Sequence, residues 1–534
     1  MDILIKNARI IDGTGQPEYP AAITILGDRI HKIIADPAEA SSYEAKAGRI
    51  IDAAGLVCAP GFIDTHSHSD LKVLSQPQLL PKLKQGITTE VLGQDGISMA
   101  PLPLAYIEPW KKNLAGLDGE DPSLDWTFQD TDNYLKLIEE AGPALNEAYL
   151  LPHGNVRMEA MGLTDREPAP EELKRMCDIT RREMEAGCIG FSSGLIYMPC
   201  AYGKTEEIIE ICRIVKEYDG VFVVHQRSEA DDILSSMDEI IRIGRESGVR
   251  IHFSHFKVCG KQNWSKLPGM LAKLDEAGAE GITVSLDQYP YIAGSTMLGV
   301  ILPPWVHDGG TDQLVERLKD RELRLKMKED IEKGIEGWDN FVQFAETDGI
   351  YITSVASGKN RDAVGLNLEE LGRLRKKDAL EAAFDLLMEE KNAVGMVDFY
   401  GTEEHVAAIL RRPETNLCTD GLLSGKPHPR VYGSFPRVLG RYVREEKILT
   451  LEEAVCKMTG KAASAMKLRE RGIIREGYYA DLTLFNPDTV TDMGTYTEPE
   501  QYPEGIRYVI VNGSIAIADG TETGVRTGKV LRKR

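Results

Sequence analysis

Gly61-Phe-Ile-Asp-Thr-His66-Ser-His68-Ser-Asp70 is a strongly apolar run that ends abruptly in two histidines one residue apart. In an extended chain, residues i and i+2 point to the same face, so both imidazoles can reach one ion at the end of a buried strand. A lone histidine there would be read as a core or surface residue. Two further runs end in the same way: His225 closes Gly220-Val-Phe-Val-Val, and His255 follows Arg250-Ile-His-Phe-Ser. Imidazole nitrogen is a favoured zinc ligand, so four histidines on three strand ends predict a metal site. His252 lies an odd number of residues before His255 and is expected to face the helices as a structural residue. His31, His307 and His405 are expected to be solvated.

Outward from these runs the middle of the chain alternates strand-like and helix-like segments. Strands are expected near Val57–Ile63, Ile87–Leu92, Ala148–Pro152, Cys188–Phe191, Val221–Val224, Arg250–Ser254, Ile282–Leu286 and Asn416–Thr419. Helices are expected over Glu171–Glu185, Glu206–Glu217 and Ala230–Glu246. Eight strands favour a closed (β/α)8 TIM-type barrel, whose active site would lie at the carboxyl ends of the strands. The eighth run ends Leu417-Cys-Thr-Asp420-Gly421, which adds a carboxylate to that mouth. Beside a metal, Asp420 can ligate, take a proton from water and return it to a leaving group. Asp-Gly is also an ordinary turn pair, so Asp420 gains its weight from the histidines.

The two ends of the chain resemble each other. Short strands around Leu4–Ile11, Ala22–Ile25 and Ile30–Ile34 have counterparts in Ala480–Phe485 and Tyr508–Val511, the latter followed by the hairpin dipeptide Asn512-Gly513. Neither end can bury a β core alone, so residues 1–56 and 472–534 are expected to form one small β-sandwich around a barrel of residues 57–471. The long gap before the eighth strand holds Pro303-Pro304-Trp305 and a charged helical stretch from Asp312 to Gly334. Part of 303–350 is read as an inserted lid or subdomain, with a solvated helix pair as the alternative.

Composition narrows the function. The 534 residues are 42% hydrophobic and 28% charged, with 84 acidic against 63 basic residues and a formal net charge of -21. That balance argues against nucleic acid or an anionic membrane as partner and leaves a small molecule, with room for a homo-oligomer. The opening MDILIKNARIIDGTG has no signal-peptide pattern and no apolar run approaches a membrane span, so a cytoplasmic enzyme is expected. Eight cysteines without C-x-x-C spacing fit reduced thiols.

In their order along the chain, His66-Ser-His68, His225, His255 and Asp420 resemble the metal-dependent amidohydrolase superfamily. Within it the chain is most similar to the N-acyl-D-amino-acid deacylase (D-aminoacylase) family, almost end to end. The segments that carry this are Ala59-Pro-Gly-Phe-Ile-Asp-Thr-His-Ser-His-Ser-Asp70, Gly86-Ile-Thr-Thr, His225-Gln-Arg-Ser-Glu229, Ser254-His-Phe-Lys257, Asp287-Gln-Tyr-Pro-Tyr291, Thr419-Asp-Gly421, His428-Pro-Arg430 and Thr523-Gly-Val-Arg526.

The resemblance implies hydrolysis of N-acyl-D-amino acids with one or two divalent metals, zinc first and manganese as an alternative. It implies that Lys257, Arg430, Tyr197 and Ser295 hold the substrate's α-carboxylate and that Tyr289 stands beside the scissile carbonyl. In that family the second strand commonly ends in Asn-Cys-Gly, whose cysteine is a ligand; here the segment is Gly93-Gln94-Asp95-Gly96. Asp95 is therefore expected to ligate, and as a hard carboxylate it could bridge two metals; the alternative is a turn cap. Hydantoinases and dihydroorotases bridge their metals with a strand-four lysine. The run Cys188-Ile-Gly-Phe-Ser-Ser-Gly194 offers none, which ranks a cyclic amidase second; Cys188 and Cys200 remain alternative bridging ligands. A non-catalytic scaffold of the same fold ranks third, because no histidine is missing.

Overall fold

The computed structural model describes residues 2–119 and 121–533. Eight parallel strands stand side by side in chain order: Phe62–Asp64, Ile87–Leu92, Asn146–Pro152, Gly190–Gly194, Val221–His225, Arg250–Phe253, Val284–Gln288 and Thr415–Leu417. Between the last and the first the ring is closed by hydrogen bonds just beyond the strands. Asp420 N donates to His66 O at 2.9 Å, and Gly421–Leu422 pairs in parallel with Ser67–His68. Closure therefore puts Asp420 against the His-x-His pair, and the expected TIM-type barrel is the observed fold.

Alternation along the strands explains the packing. Val91, Ala148, Leu150, Val221 and Val223 fill the barrel interior at a spacing of two, while Tyr149, Leu151, Phe222 and Phe253 pack outward on Ile208, Ile211, Val215 and Ile240 of the helix layer. The covering helices Pro170–Ala186, Thr205–Glu217 and Ile233–Ser247 lie within a few residues of their expected bounds. The expected run Val57–Ile63 divides. Val57–Pro60 pairs with Leu482–Phe485 in the terminal sheet, and only Phe62–Asp64 enters the barrel. Gly61 allows the transition, since a Cβ there would stand 2.1 Å from Thr88 Oγ1.

Both chain ends contribute to one nine-stranded sheet, whose inner side chains, among them Ile5, Ile10, Ile23, Leu482, Leu484 and Ile510, form a separate core. Between the seventh and eighth barrel strands lies an inserted unit with its own core, built on the antiparallel strands Ala293–Met297, Ile350–Val355 and Val394–Phe399. It is wider than 303–350, because Ala293-Gly-Ser-Thr-Met297 carries no strand-like alternation to announce it. Among the described residues no helix is long and apolar enough to cross a membrane.

Candidate metal centre

Six side chains from five strand ends converge, all of them buried. His66 Nε2 and His68 Nε2 lie 3.3 Å apart. His225 Nδ1 and His255 Nε2 lie 2.8 Å apart. Asp95 stands between the pairs, its Oδ1 3.7 Å from both His66 Nε2 and His255 Nε2, and its Oδ2 3.6 Å from His68 Nε2. Asp420 Oδ1 completes the first pair at 3.7 Å from His66 and 3.4 Å from His68. These make three three-ligand groups once Glu229 is included: His66, His68 and Asp420; His66, Asp95 and His255; and His225, Glu229 and His255, with His66 shared by the first two and His255 by the last two.

The donor set fits a divalent cation. Facing imidazole nitrogens repel unless a proton or an ion lies between them. Burial pushes His225 down to about 4. His255 faces the same burial and the nearby Lys257 cation, yet Glu229 and Asp95 outweigh both and raise it to about 10. The pair thus shares one proton, and its release would leave two nitrogens able to face a cation. Asp95 Oδ1 and His225 Nε2 are also buried without a hydrogen-bond partner, which protein interiors rarely tolerate. Burial opposes ionisation of Asp95, but His66 and His255 hold its carboxyl well below the usual range.

Asp95 is placed by a tight turn. Gly93 (φ 77°), Asp95 (φ 54°) and Gly96 (φ 69°) are all left-handed. Gly96 N donates to Ser192 Oγ at 3.1 Å, Gly93 N donates to Asp70 Oδ1 at 2.8 Å, and Gln94 Nε2 donates to Thr65 O at 2.9 Å. The cap of this turn is Ser192, which leaves the Asp95 carboxylate free to face the histidines. Cys200 packs behind the turn, its Sγ 3.4 Å from Gly96 O, and Cys188 lies 3.6 Å from Thr131 Oγ1. Neither belongs to a histidine cluster.

His255 and Asp420 also have positive φ, 33° and 47°, a conformation that non-glycine residues adopt where function demands it. The sixth strand ends at Phe253, so alternation does not extend to His255. His252 therefore faces the barrel interior, not the helices; its Nε2 lies 2.8 Å from Asp287 Oδ2. Asp287 accepts the backbone N–H of His255 at 2.5 Å and the Thr65 hydroxyl at 2.8 Å, so this buried group joins the sixth strand to the first.

Several side chains around the centre differ from expectation. Lys257 and His255 share a loop rather than a strand face, and Lys257 Nζ is ion-paired to Glu229 Oε2 at 2.6 Å. Glu229 also meets His255 Nδ1 at 3.2 Å, and its N–H and its neighbour Ser228 are held by Asp339 of the inserted unit. Glu229 and Asp339 carried no signal in the sequence apart from the His225-Gln-Arg-Ser-Glu229 segment.

Arg430 Nη1 stands 2.9 Å from Asp420 Oδ2; its Nη2 donates to the Ser295 carbonyl at 3.0 Å, while its Nε and Nη1 have no aligned acceptor. The Ser295 hydroxyl donates to Met396 O at 2.9 Å. The Tyr289 hydroxyl lies 2.6 Å from that of Tyr400, and burial holds it protonated. Tyr197 packs edge-on to His225, ring centres 5.4 Å apart, with its hydroxyl 2.9 Å from Thr296 Oγ1. Of the histidines read as solvated, only His31 is exposed; His307 and His405 are half-buried, the one 3.1 Å from Gly299 O and the other against Trp264.

Residues 49–517 match the model of the amidohydrolase family. The chain belongs to that family. Over its whole length it is 34% identical to a D-aminoacylase of Alcaligenes xylosoxydans xylosoxydans, covering 98% of that protein, and 35% identical over 99% of its length to an N-acyl-D-aspartate deacylase of the same organism, covering 95% of it. The crystal structure of the N-acyl-D-glutamate deacylase of Bordetella bronchiseptica, complexed with zinc and a phosphonate mimic of the tetrahedral intermediate, superposes with a TM-score of 0.82 at 34% identity, covering 100% of this chain and 99% of that one. Near-equal likeness to proteins of different specificity means that the side-chain preference of this amidohydrolase has to be read from its own cavities.

Proposed function

We propose that the protein is a zinc-dependent deacylase that hydrolyses the amide bond of N-acyl-D-amino acids to a carboxylate and a free amino acid. The observation that carries this reading is the Asp95-centred cluster with Arg430 at its edge: a metal-ligand set beside a buried cation that is ion-paired to Asp420 through Nη1 and whose Nε has no partner. His66, His68, Asp95, His225, His255 and Asp420 would hold one or two divalent metals, with zinc favoured by the imidazoles. A metal bound there supplies a Lewis acid for the amide carbonyl and lowers the pKa of water.

The remaining chemistry belongs to the chain. Burial opposes ionisation of Asp420, yet Arg430 and the histidines hold its carboxyl far below the normal range. It is therefore ionised, with Oδ1 turned to the histidines and Oδ2 to Arg430. In this position it accepts the proton of the water that adds to the amide carbon. The proton it takes up is returned to the amine nitrogen as the C–N bond breaks. Arg430 suits a carboxylate because it offers two donors in a fixed fork. Lys257, balanced by Glu229, adds charge beside it, and Tyr197, Tyr289 and Ser295 wall the same space. The D preference is carried over from the relatives.

The test is a hydrolysis screen of N-acetyl amino acids of both enantiomers on zinc-loaded protein, with metal content measured on the same preparation. Turnover of D substrates is expected. Turnover of a hydantoin without turnover of any N-acyl amino acid would replace the proposal with a cyclic amidase.

A further inference from the structure

Asp398 stands on the strand Val394–Phe399 of the inserted unit, paired across the sheet with Gly294. Val394 and Met396, on the same strand face, belong to the apolar core of that unit, so a carboxylate occupies a position that alternation marks for an apolar side chain. Asp398 is 2% exposed, and among the described residues its side chain forms no ion pair and no hydrogen bond. Buried charges are ordinarily paired. One without a partner inside the protein is a candidate to meet a ligand.

Its surroundings say which part of the ligand. A Cβ on Gly294 would stand 2.9 Å from Asp398 Oδ1, 3.1 Å from the Tyr400 ring and 3.6 Å from the Tyr289 hydroxyl. Arg430 lies 4.5 Å over the Tyr289 ring, and Lys257 Nζ is 6.0 Å from the centre of that ring and 5.8 Å from that of Tyr400. Asp398 thus walls the same chamber as the two cations assigned to the substrate's α-carboxylate. Side chain and α-carboxylate branch from one carbon, so a group in that chamber is within reach of the side chain's first polar atoms.

The charges of the chamber are already matched. Lys257 is paired with Glu229 at 2.6 Å and Arg430 with Asp420 at 2.9 Å. Burial pushes the Asp398 carboxyl up to about 7 against the pull of Lys257 and Arg430, with Glu229 adding to the rise, so it is ionised at about pH 8.5. A substrate brings one carboxylate of its own. A second, on the side chain, would lose its hydration and meet Asp398 with both cations engaged, whereas a side chain that donates a hydrogen bond gives Asp398 the partner it lacks.

We propose that Asp398 sets the side-chain specificity of the enzyme, which takes N-acyl-D-amino acids whose side chains donate a hydrogen bond, such as carboxamides, and refuses those with a side-chain carboxylate. The proposal rests on the deacylase reading and adds to it a substrate class.

The experiment compares N-acetyl-D-asparagine with N-acetyl-D-aspartate, and N-acetyl-D-glutamine with N-acetyl-D-glutamate, on zinc-loaded enzyme at about pH 8.5, with N-acetyl-D-leucine alongside. Each pair has one shape and differs in charge and donors. The amide is expected to exceed its acid by about 100-fold or more in kcat/KM, the scale of a like charge met in a buried site. It should exceed the leucine derivative by about 10-fold, the scale of one hydrogen bond to a charged group. Asp398→Asn should cut the amide-to-acid ratio by about 10-fold or more, because the repulsion goes while both cations stay; Asp398→Ser serves if that variant misfolds. Wild-type enzyme that turns over the acids or the leucine derivative as well as the amides overturns the proposal and leaves the deacylase standing. An unchanged ratio in a well-folded variant places the discrimination elsewhere and likewise overturns it. A fall in KM shared equally by every substrate would mean that Asp398 acts on the α-carboxylate alone, which also overturns it. No turnover of any N-acyl-D-amino acid by zinc-loaded protein removes the deacylase reading, and this proposal with it.

Discussion

Replacing Asp95 tests the centre at the residue that touches both of its halves. In Asp95→Ala the structural cost is small. Alanine in the left-handed region costs about 1–2 kcal/mol, and at roughly 2.1 cal/mol/K of unfolding entropy per residue a chain of this length loses only about 1–2 °C of Tm. The turn itself stays capped, because Ser192 Oγ receives Gly96 N. The functional cost is larger. Changes to groups that only orient a ligand weaken metal binding by about 10–100-fold, so loss of a carboxylate within 3.7 Å of three imidazoles should exceed about 100-fold, or about 2.7 kcal/mol. The assay is zinc content after dialysis, zinc affinity by chelator competition, and Tm with and without zinc. The variant should melt near the wild type when metal-free and gain less on adding zinc. Asp95→Cys should bind zinc with a stronger preference over manganese, since thiolate is the softer ligand. Wild-type zinc affinity in a well-folded Asp95→Ala protein would refute the assignment.

Asp420→Asn should keep most of its zinc and lose about 100-fold or more in turnover, the scale of a lost general acid/base; steady-state kinetics with metal analysis checks this, and unchanged turnover would remove the role. Glu229→Gln should weaken zinc binding by about 10–100-fold, because the charge holding both His255 and Lys257 is gone; an unchanged affinity by chelator competition would count against that positioning. Zinc should bind more tightly as pH rises. His255, raised to about 10 in the metal-free protein, is protonated at pH 7.5, so binding must expel its proton, and affinity should climb up to that pKa. Calorimetry in two buffers of different ionisation enthalpy reads the proton directly, and a buffer-independent enthalpy would contradict the shared-proton pair.

The barrel and the histidines were legible because both follow from the alternation of a strand. Phe62–Asp64 and Val221–His225 deliver His66, His68 and His225 by simple period-two geometry, and buried apolar runs mark where each strand lies. Legibility weakened where the backbone leaves the strand. His255 and Asp95 reach the centre through left-handed residues past the strand ends; His255 was still marked by the run it follows and Asp95 by the family resemblance, but parity misdirected His252. Asp420 has a left-handed φ too, yet it was found, because Asp-Gly closes a run already flagged by its order after the histidines. The inserted unit was underestimated for a different reason: Ala293-Gly-Ser-Thr-Met297 becomes a strand through pairing with Val394–Phe399, nearly a hundred residues later, and no local pattern encodes such a partner.

That distant pairing bears on the chemistry. Through it Ser295 presents its carbonyl to Arg430, and through Asp339 the inserted unit holds the loop that carries Glu229. The sequence shows the candidate ligands because each lies on or just past its own strand. It conceals Glu229, Asp287 and Asp339, which act on those ligands across long stretches of chain. Hydrogen bonds from such groups fix which imidazole nitrogen faces the ion and where Lys257 places its charge. The barrel thus supplies the donor atoms, and the inserted unit constrains the residues around them.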